Sequence, residues 1–217
     1  MTNQNYTHIA VLLDRSGSMQ TIKSDTEGGF DAFIAEQRKS PGRCDVTLAQ
    51  FDTEYEEVYV AKPLANVPPL HLSPRGGTAL LDGIGRLINT TGERLAAMPE
   101  TDRPAAVIMV IMTDGQENSS REFDLGSVNR MITEQTDTYG WTFVYLGANQ
   151  DAIAVAAGLG VAADQAMTYA GRKVDQAFAA TSANLTRYRE AIAGGVAPAA
   201  ARHISGYTQE QRKSADE

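Results

Sequence analysis

Three apolar runs constrain the fold of this chain more strongly than any other feature of its sequence. They are HIAVLL (8–13), AAVIMVIM (105–112) and WTFVYL (141–146). None of them alternates regularly between apolar and polar residues, so a strand formed by any of them would be buried on both faces. Such strands are typical of a parallel sheet that helices cover on both sides. The runs therefore predict an α/β fold.

The segments between these runs supply the helices and the remaining strands. Apolar residues at helical spacing predict helices at 21–38, 78–98, 124–138, 150–158 and 174–193. The first of these helices is interrupted by Gly28 and Gly29. Further strand patterns lie at 44–52, 55–62 and 166–171, and the first two form an antiparallel hairpin at the sheet edge. Right-handed crossovers then predict a doubly wound, three-layer αβα sandwich with a mainly parallel sheet.

The chain is predicted to form one domain over residues 1–193, followed by a polar C-terminal tail over residues 194–217. The tail loses the apolar periodicity and is predicted to be mobile. Thr208 and Gln211 have the spacing of a capping box, but no apolar run follows that would dock a helix. No apolar run approaches the ~20 residues of a membrane span, and the N-terminus lacks the features of a secretion signal.

Composition and charge narrow the classes of partner. The 217 residues include 27 acidic and 19 basic side chains, which give a net charge of −8. No cluster of Lys and Arg stands out, whereas a protein that tracks a nucleic-acid backbone normally needs one, so no nucleic-acid partner is expected. Cys44 is the single cysteine and cannot form an internal disulfide, which fits a reducing compartment and a cytoplasmic location.

Oxygen-bearing side chains follow two of the buried strands and precede a helix. DRSGSM (14–19) leaves the first strand, TDG (113–115) leaves the strand predicted beside it, and RGGT (75–78) enters the helix before that strand. Loops at the carboxyl ends of parallel strands share one edge of the sheet, where ligand sites form. The two carboxylates and three hydroxyls that meet there belong to Asp14, Ser16, Ser18, Thr78 and Asp114. Hard oxygen ligands suit a small divalent ion such as Mg²⁺.

Three of these residues also have a simpler interpretation. Asp14 has the chemistry of a strand-end cap, Thr78 that of a helix N-cap, and Asp114 that of an ordinary Asp-Gly turn. Their metal role therefore depends on the whole set rather than on any one residue. Arg15, between the acid and the serines, is predicted to point elsewhere as a solvated rim residue.

Two positions on the same edge keep two interpretations open. Glu117 either tunes the metal or contacts a partner, or it belongs to an ordinary loop in which Ser119 and Ser120 are helix caps. Asn149 is either the N-cap of the helix that follows it or a contact that sets specificity.

The sequence resembles the von Willebrand factor type A (vWA) domains, which include the integrin inserted domains, over residues 7–193. DRSGSM, the Thr of GGTAL (76–80) and the Asp of MTDG (112–115) match, in order, the three pieces of that family's metal-ion-dependent adhesion site (MIDAS). The resemblance implies a six-stranded sheet in the order 3-2-1-4-5-6 with one antiparallel edge strand. It also implies that Ser16, Ser18 and either Thr78 or Asp114 contact the ion directly, with Asp14 often acting through water.

Two classes of function fit such a site. In the first, Mg²⁺ or Mn²⁺ recruits an Asp or Glu of a partner protein, and the chain is not an enzyme. The second is a Mg²⁺-dependent hydrolase or phosphoryl-transfer enzyme, but the motif loops lack a general base, a G-x-S-x-G elbow and a P-loop lysine. A role in an RNA-binding particle, which some family members have, is disfavoured by the net charge of −8. The resemblance also implies a stand-alone, cytoplasmic protein of bacterial or bacteriophage type that works beside a chaperone-like ATPase system.

Overall fold

The computed structural model describes residues 2–216, which form a six-stranded sheet between two layers of helices. The strands are β1 (Asn3–Asp14), β2 (Arg43–Phe51), β3 (Tyr55–Pro63), β4 (Pro104–Thr113), β5 (Thr142–Ala148) and β6 (Ala166–Tyr169). Their order across the sheet is β3-β2-β1-β4-β5-β6. All neighbouring strands are parallel except β2 and β3, which form an antiparallel hairpin at one edge. The predicted sandwich, strand order and antiparallel edge strand are confirmed.

Two groups of helices cover the two faces of the sheet. The helices are α1 (Lys23–Gln37), α2 (Leu80–Ala96), α3 (Leu125–Asp137), α4 (Ala152–Leu159), α5 (Val174–Ala193), α6 (Pro198–Ile204) and α7 (Gln209–Asp216). Helices α1 and α5 to α7 pack on one face, and α2 to α4 pack on the other. Within residues 2–216, no helix combines the length and the apolarity of a membrane span.

Strand β1 lies near the centre of the sheet and is buried on both sides. Ile9, Val11 and Leu13 belong to the core under α1 and α5, whereas Ala10 and Leu12 belong to the core under α2 to α4. Burying one large aliphatic side chain contributes about 1.5–3 kcal/mol, so the two cores together hold this strand firmly. The expected burial of the apolar run on both faces is confirmed.

Helix α1 runs without a break through Gly28 and Gly29, so the expected interruption is wrong. The close approach of α5 accounts for the second of these glycines. A β-carbon on Gly29 would lie 2.6 Å from Cδ2 of Phe178, well inside van der Waals contact. The glycine therefore lets α1 and α5 pack closely and does not end the helix.

The segment after residue 193 packs on the domain, and the expectation of a mobile tail without a docked helix is wrong. Ala201 in α6 and Ala215 in α7 are fully buried, and Tyr207 between these helices is nearly so. The hydroxyl oxygens of Tyr207 and Thr181 are 2.6 Å apart. The N–H of Ala170 donates to the carbonyl of Ala215 at 2.9 Å. Small apolar residues and hydrogen bonds thus replace the large apolar run that the sequence lacks.

The capping box of Thr208 and Gln211 forms at the start of α7. The N–H of Thr208 donates to Oε1 of Gln211 at 2.9 Å, and the N–H of Gln211 donates to Oγ1 of Thr208 at 3.2 Å. The side-chain amide of Gln211 also donates to Oδ1 of Asn184 at 2.8 Å, which connects α7 with α5. The domain boundary at residue 193 stays a prediction, and Met1 and Glu217 lie outside the described residues.

Removing residues 194–217 should destabilise the domain. The truncation uncovers apolar surface of α5 and breaks the hydrogen bond between Tyr207 and Thr181, so we expect a loss of at least about 2 kcal/mol of unfolding free energy. Tyr207→Phe, which removes only the hydroxyl, should lose about 1 kcal/mol. Chemical denaturation measures both losses. Equal unfolding free energies for wild type, the point variant and the truncated chain would contradict the docking.

Candidate metal site

The predicted ligands lie at the carboxyl edge of the sheet, where β1 and β4 end side by side. Asp14 is the last residue of β1, and Asp114 directly follows Thr113, the last residue of β4. The two strands are paired as far as Leu13 and Met112, so their ends leave the sheet together. Strand β1 is flanked by β2 on one side and by β4 on the other, so the strand order reverses at β1. Ligand sites of doubly wound sheets form at such points.

Hydroxyl groups connect the two carboxylates. The hydroxyl of Ser18 donates to Oδ1 of Asp114 at 2.7 Å, and the hydroxyl oxygens of Ser16 and Ser18 are 3.1 Å apart. The N–H of Ser16 donates to Oδ1 of Asp14 at 2.6 Å. The Asp-x-Ser-x-Ser turn therefore directs its three oxygen-bearing residues to one place, as the spacing predicts.

Thr78 joins this cluster from the loop before α2. Its side chain is buried, and its Oγ1 lies 2.8 Å from the point at which Gly115 would carry a β-carbon. Oδ2 of Asp14 lies 3.7 Å from the same point. Glycine at residue 115 thus allows the turn after Asp114 to approach Thr78 closely. The structure brings the five predicted residues together, and their role as metal ligands stays a prediction.

Asp14 is fully buried and Asp114 is half-buried, and neither carboxylate has a cationic partner among residues 2–216. Burial raises the pKa of Asp14 to about 6, and the charge of Asp114 adds to the increase, while hydrogen bonds from Thr113 and Ser16 oppose it. Burial also raises the pKa of Asp114. Neither carboxylate forms an ion pair with a residue in the range 2–216. A divalent cation between them would offset both the burial and the mutual repulsion.

The donor set fits a hard divalent ion. The five side chains offer only carboxylate and hydroxyl oxygens, which Mg²⁺ and Mn²⁺ prefer. Two carboxylates balance the charge of one divalent ion. In the part of the chain that the structure describes, no three His, Cys, Asp or Glu side chains are grouped as metal ligands. Hydroxyl groups would therefore complete the coordination at this site.

Comparisons with known proteins identify the fold. No protein-family model and no curated protein sequence matches the chain. The structure is similar to that of proximal thread matrix protein 1 (PTMP1) from the mussel byssus with a zinc-occupied MIDAS motif, at a TM-score of 0.57 and 15% identity. It is also similar to a von Willebrand factor type A structure from Catenulispora acidiphila (0.54, 16%) and to the vWF domain of the pili tip protein Mfa5 from Porphyromonas gingivalis (0.59, 10%). The chain has the vWA fold.

The similarity covers most of this chain, but this chain spans less than half of two of the three proteins. The matches cover 85% of this chain for PTMP1, 85% for the C. acidiphila structure and 82% for Mfa5. The chain spans 47% of the PTMP1 chain and 43% of the C. acidiphila chain, against 94% of the Mfa5 domain. The activities of the longer proteins therefore do not transfer to this chain together with the fold.

Arg15 is buried, and the expectation of a solvated rim residue is wrong. Only 6% of its surface is exposed. Its Nε–H donates to Oδ2 of Asp52 at 2.8 Å, and its Nη1 donates to Oε2 of Glu56 at 2.5 Å. The side chain between Asp14 and Ser16 therefore turns toward the β2–β3 hairpin, where two acids neutralise it.

Two residues that support the site, Thr113 and Asn118, are not among the five predicted ligands. The hydroxyl of Thr113 donates to Oδ2 of Asp14 at 2.6 Å. Asn118 holds Thr78 from both sides, because its Oδ1 accepts the N–H of Thr78 at 2.9 Å and its own N–H donates to the Thr78 carbonyl at 3.1 Å. A hydroxyl at the end of a wholly apolar strand is a usable signal for Thr113. Nothing in the sequence connects Asn118 with a residue 40 positions earlier.

Glu117 and Asn149 both have structural roles at this edge of the sheet. The carboxylate of Glu117 accepts the N–H of Leu81 at 3.0 Å and so caps the start of α2 from another loop. Asn149 has a φ of +53° and accepts the N–H of Gly171 at 3.3 Å. The N-cap of α4 is Asp151, so the capping interpretation of Asn149 is wrong.

Asp14→Asn should stabilise the metal-free protein at neutral pH. Because the pKa of Asp14 is raised from 3.8 to about 6, the stability that its protonated form contributes is complete below pH 3.8 and is lost as the pH rises through about 6. The amide is uncharged throughout, so in EDTA the variant should melt above wild type at about pH 7.5, and the gap should close toward about pH 4.

Thermal melts across this pH range, with chelator present, measure the effect. Ser18→Ala is the matched comparison: it removes the hydroxyl that stabilises the charged form of Asp114 but removes no charge, so it should melt at or below wild type at about pH 7.5. A variant Asp14→Asn that melts below wild type at about pH 7.5 would contradict the cost assigned to the buried charge.

Proposed function

We propose that the chain is a non-enzymatic protein-interaction module that binds a partner through Mg²⁺ or Mn²⁺ at this site. One observation carries the proposal: Asp14 is buried and Asp114 is half-buried, a network of hydrogen bonds from Ser16 and Ser18 connects them, and neither has a cationic partner among residues 2–216. Ser16, Ser18 and Thr78 complete the proposed set of ligands. The PTMP1 structure with a zinc-occupied MIDAS motif supports a divalent ion on this fold.

The ligand chemistry favours Mg²⁺ or Mn²⁺. Zinc sites in proteins are built mainly from Cys and His, whereas the proposed ligands here carry oxygen alone. Five side chains do not all reach one small ion without strain, so some act through water. A coordination position then stays open to a ligand from outside the chain. When bound, the ion supplies the positive charge that attracts a carboxylate.

The charges around the site make an acidic partner dependent on the ion. The protein has a net charge of −8, which repels an acidic segment elsewhere on its surface. The guanidinium of Arg15 is neutralised by Asp52 and Glu56. That of Arg75 is neutralised by Asp52 and Glu54. Neither arginine is therefore free to form an ion pair with an Asp or Glu of the partner.

The proposal includes no catalysis. The segments 14–18, 75–79 and 113–118 contain no His, Lys or Cys that would act as a general base or nucleophile. We also propose a cytoplasmic setting of bacterial or bacteriophage type, beside a chaperone-like ATPase system. That setting rests on the resemblance of the motifs to the vWA family alone.

Mg²⁺ or Mn²⁺ should raise the melting temperature of wild type and leave Asp14→Ala and Asp114→Ala unchanged. An ion that binds only the native state stabilises it by about 2.7 kcal/mol at ~100-fold over its dissociation constant. Thermal melts over a metal titration measure the increase. Glu122→Gln, which removes an exposed acid outside the site, is the control and should respond as wild type does. Equal increases in wild type and both Asp variants would refute the site.

A protein partner should bind at this edge of the sheet and be released by chelator. The contact is expected to centre on residues 15–19, 75–79 and 115–118, because these loops surround the proposed ion. A pull-down from native lysate with EDTA, followed by Mg²⁺ add-back, identifies the partner. Asp→Asn and Glu→Gln scanning of that partner then locates its acidic residue. Equal capture with and without EDTA would show that the ion is not the contact.

A further inference from the structure

A third buried acid, Asp52, lies beside the site and is not one of the five predicted ligands. It directly follows β2, and only 1% of its surface is exposed. Its Oδ2 accepts hydrogen bonds from the Nε–H groups of Arg15 and Arg75, both at 2.8 Å. Its Oδ1 accepts the N–H of Glu54 at 2.7 Å. Both carboxylate oxygens are thus committed to holding protein groups.

The main chain connects the same segments. The N–H of Arg15 donates to the carbonyl of Phe51, and the N–H of Arg75 donates to the carbonyl of Arg15, both at 2.8 Å. The N–H of Ala79 donates to the carbonyl of Asp52 at 2.8 Å. The loop 75–79 is therefore attached at its first residue to Arg15 and at its last residue to Asp52.

Both attachments lie next to predicted ligands. Arg15 stands between Asp14 and Ser16, and Ala79 directly follows Thr78. Hydrogen bonds between arginine and a carboxylate are roughly twice as strong as neutral ones. Ligand distances in a metal site are held to within ~0.2 Å, so a small shift of either loop would change the coordination.

We propose that Asp52 is a positioning residue of the metal site. Through its two arginine partners it holds the loop that carries Thr78 against the turn that carries Ser16. This role lies beyond the ligand set, and it rests on the proposed function because it requires a site that binds an ion. Loss of a residue that orients metal ligands commonly weakens metal binding by roughly 10–100-fold.

Calorimetric titration of Mn²⁺ into the intact protein tests this role. Asp52→Asn keeps the shape of the side chain and an acceptor for the N–H of Glu54 but loses the charge, and it should weaken Mn²⁺ binding by about tenfold or more. Arg75→Met removes one arm of the network at a side chain that is 57% exposed, so the fold should persist and binding should weaken in the same direction. Glu56→Gln removes the other acid from Arg15 and should bind as wild type does.

The same substitutions in a Thr78→Ala background separate positioning from general stabilisation. If Asp52 acts on the ion through Thr78, then Asp52→Asn should weaken binding by a smaller factor once Thr78 is replaced. An acid that only stabilises the fold would lower the affinity by the same factor in both backgrounds. If Asp52→Asn does not fold, Arg75→Met decides the question by the same comparison.

The wild-type titration is read first. Wild type that takes up no Mn²⁺ overturns the proposed function. If wild type binds, then wild-type affinity in Asp52→Asn and Arg75→Met, or equal losses in the two backgrounds, overturns the role of Asp52 alone. Weaker binding in both variants, with unchanged binding in Glu56→Gln and a smaller factor beside Thr78→Ala, supports it.

Discussion

Two carboxylates of like charge, Asp14 and Asp114, are held close together at the ends of adjacent buried strands. Burial and mutual repulsion both disfavour their charged forms, which is why the pKa of Asp14 rises to about 6. Hydrogen bonds from Ser18 and Thr113 offset only part of that cost. The arrangement persists because the two strands are fixed by cores on both faces of the sheet. A divalent cation between the two carboxylates would offset this repulsion.

Loops rather than strands position most of the polar side chains at this edge of the sheet. Thr78 reaches the carboxylates from a loop held on one side by Asn118 and on the other by the network around Asp52. That network also turns Arg15 away from the site and neutralises it. Solved structures with this fold share only 10–16% identity with the chain. The fold therefore provides the frame, and the loop residues decide what binds there.

The C-terminal segment shows how a short helix can dock without a large apolar face. Helices α6 and α7 bury two alanines, Ala201 and Ala215, whose small side chains let the helices lie close to the domain. Tyr207 adds a buried ring and a hydrogen bond to Thr181. Helices that bury alanines have no stripe of large apolar residues, so the apolar periodicity of the sequence does not predict this packing.

The sequence by itself determined the sheet, its cover of helices and the five oxygen-bearing residues at its carboxyl edge. It could do so because the spacing of apolar residues and the residue types that favour turns depend only on a few neighbouring positions. Only the tertiary structure decided the direction of Arg15, the support of Thr78 by Asn118 and the docking of the last two helices. Those features join residues 26 or more positions apart, as in Thr181 with Tyr207 and Thr78 with Asn118. Whether such side chains come into contact depends on how the helices and strands pack, and the local sequence does not determine that packing.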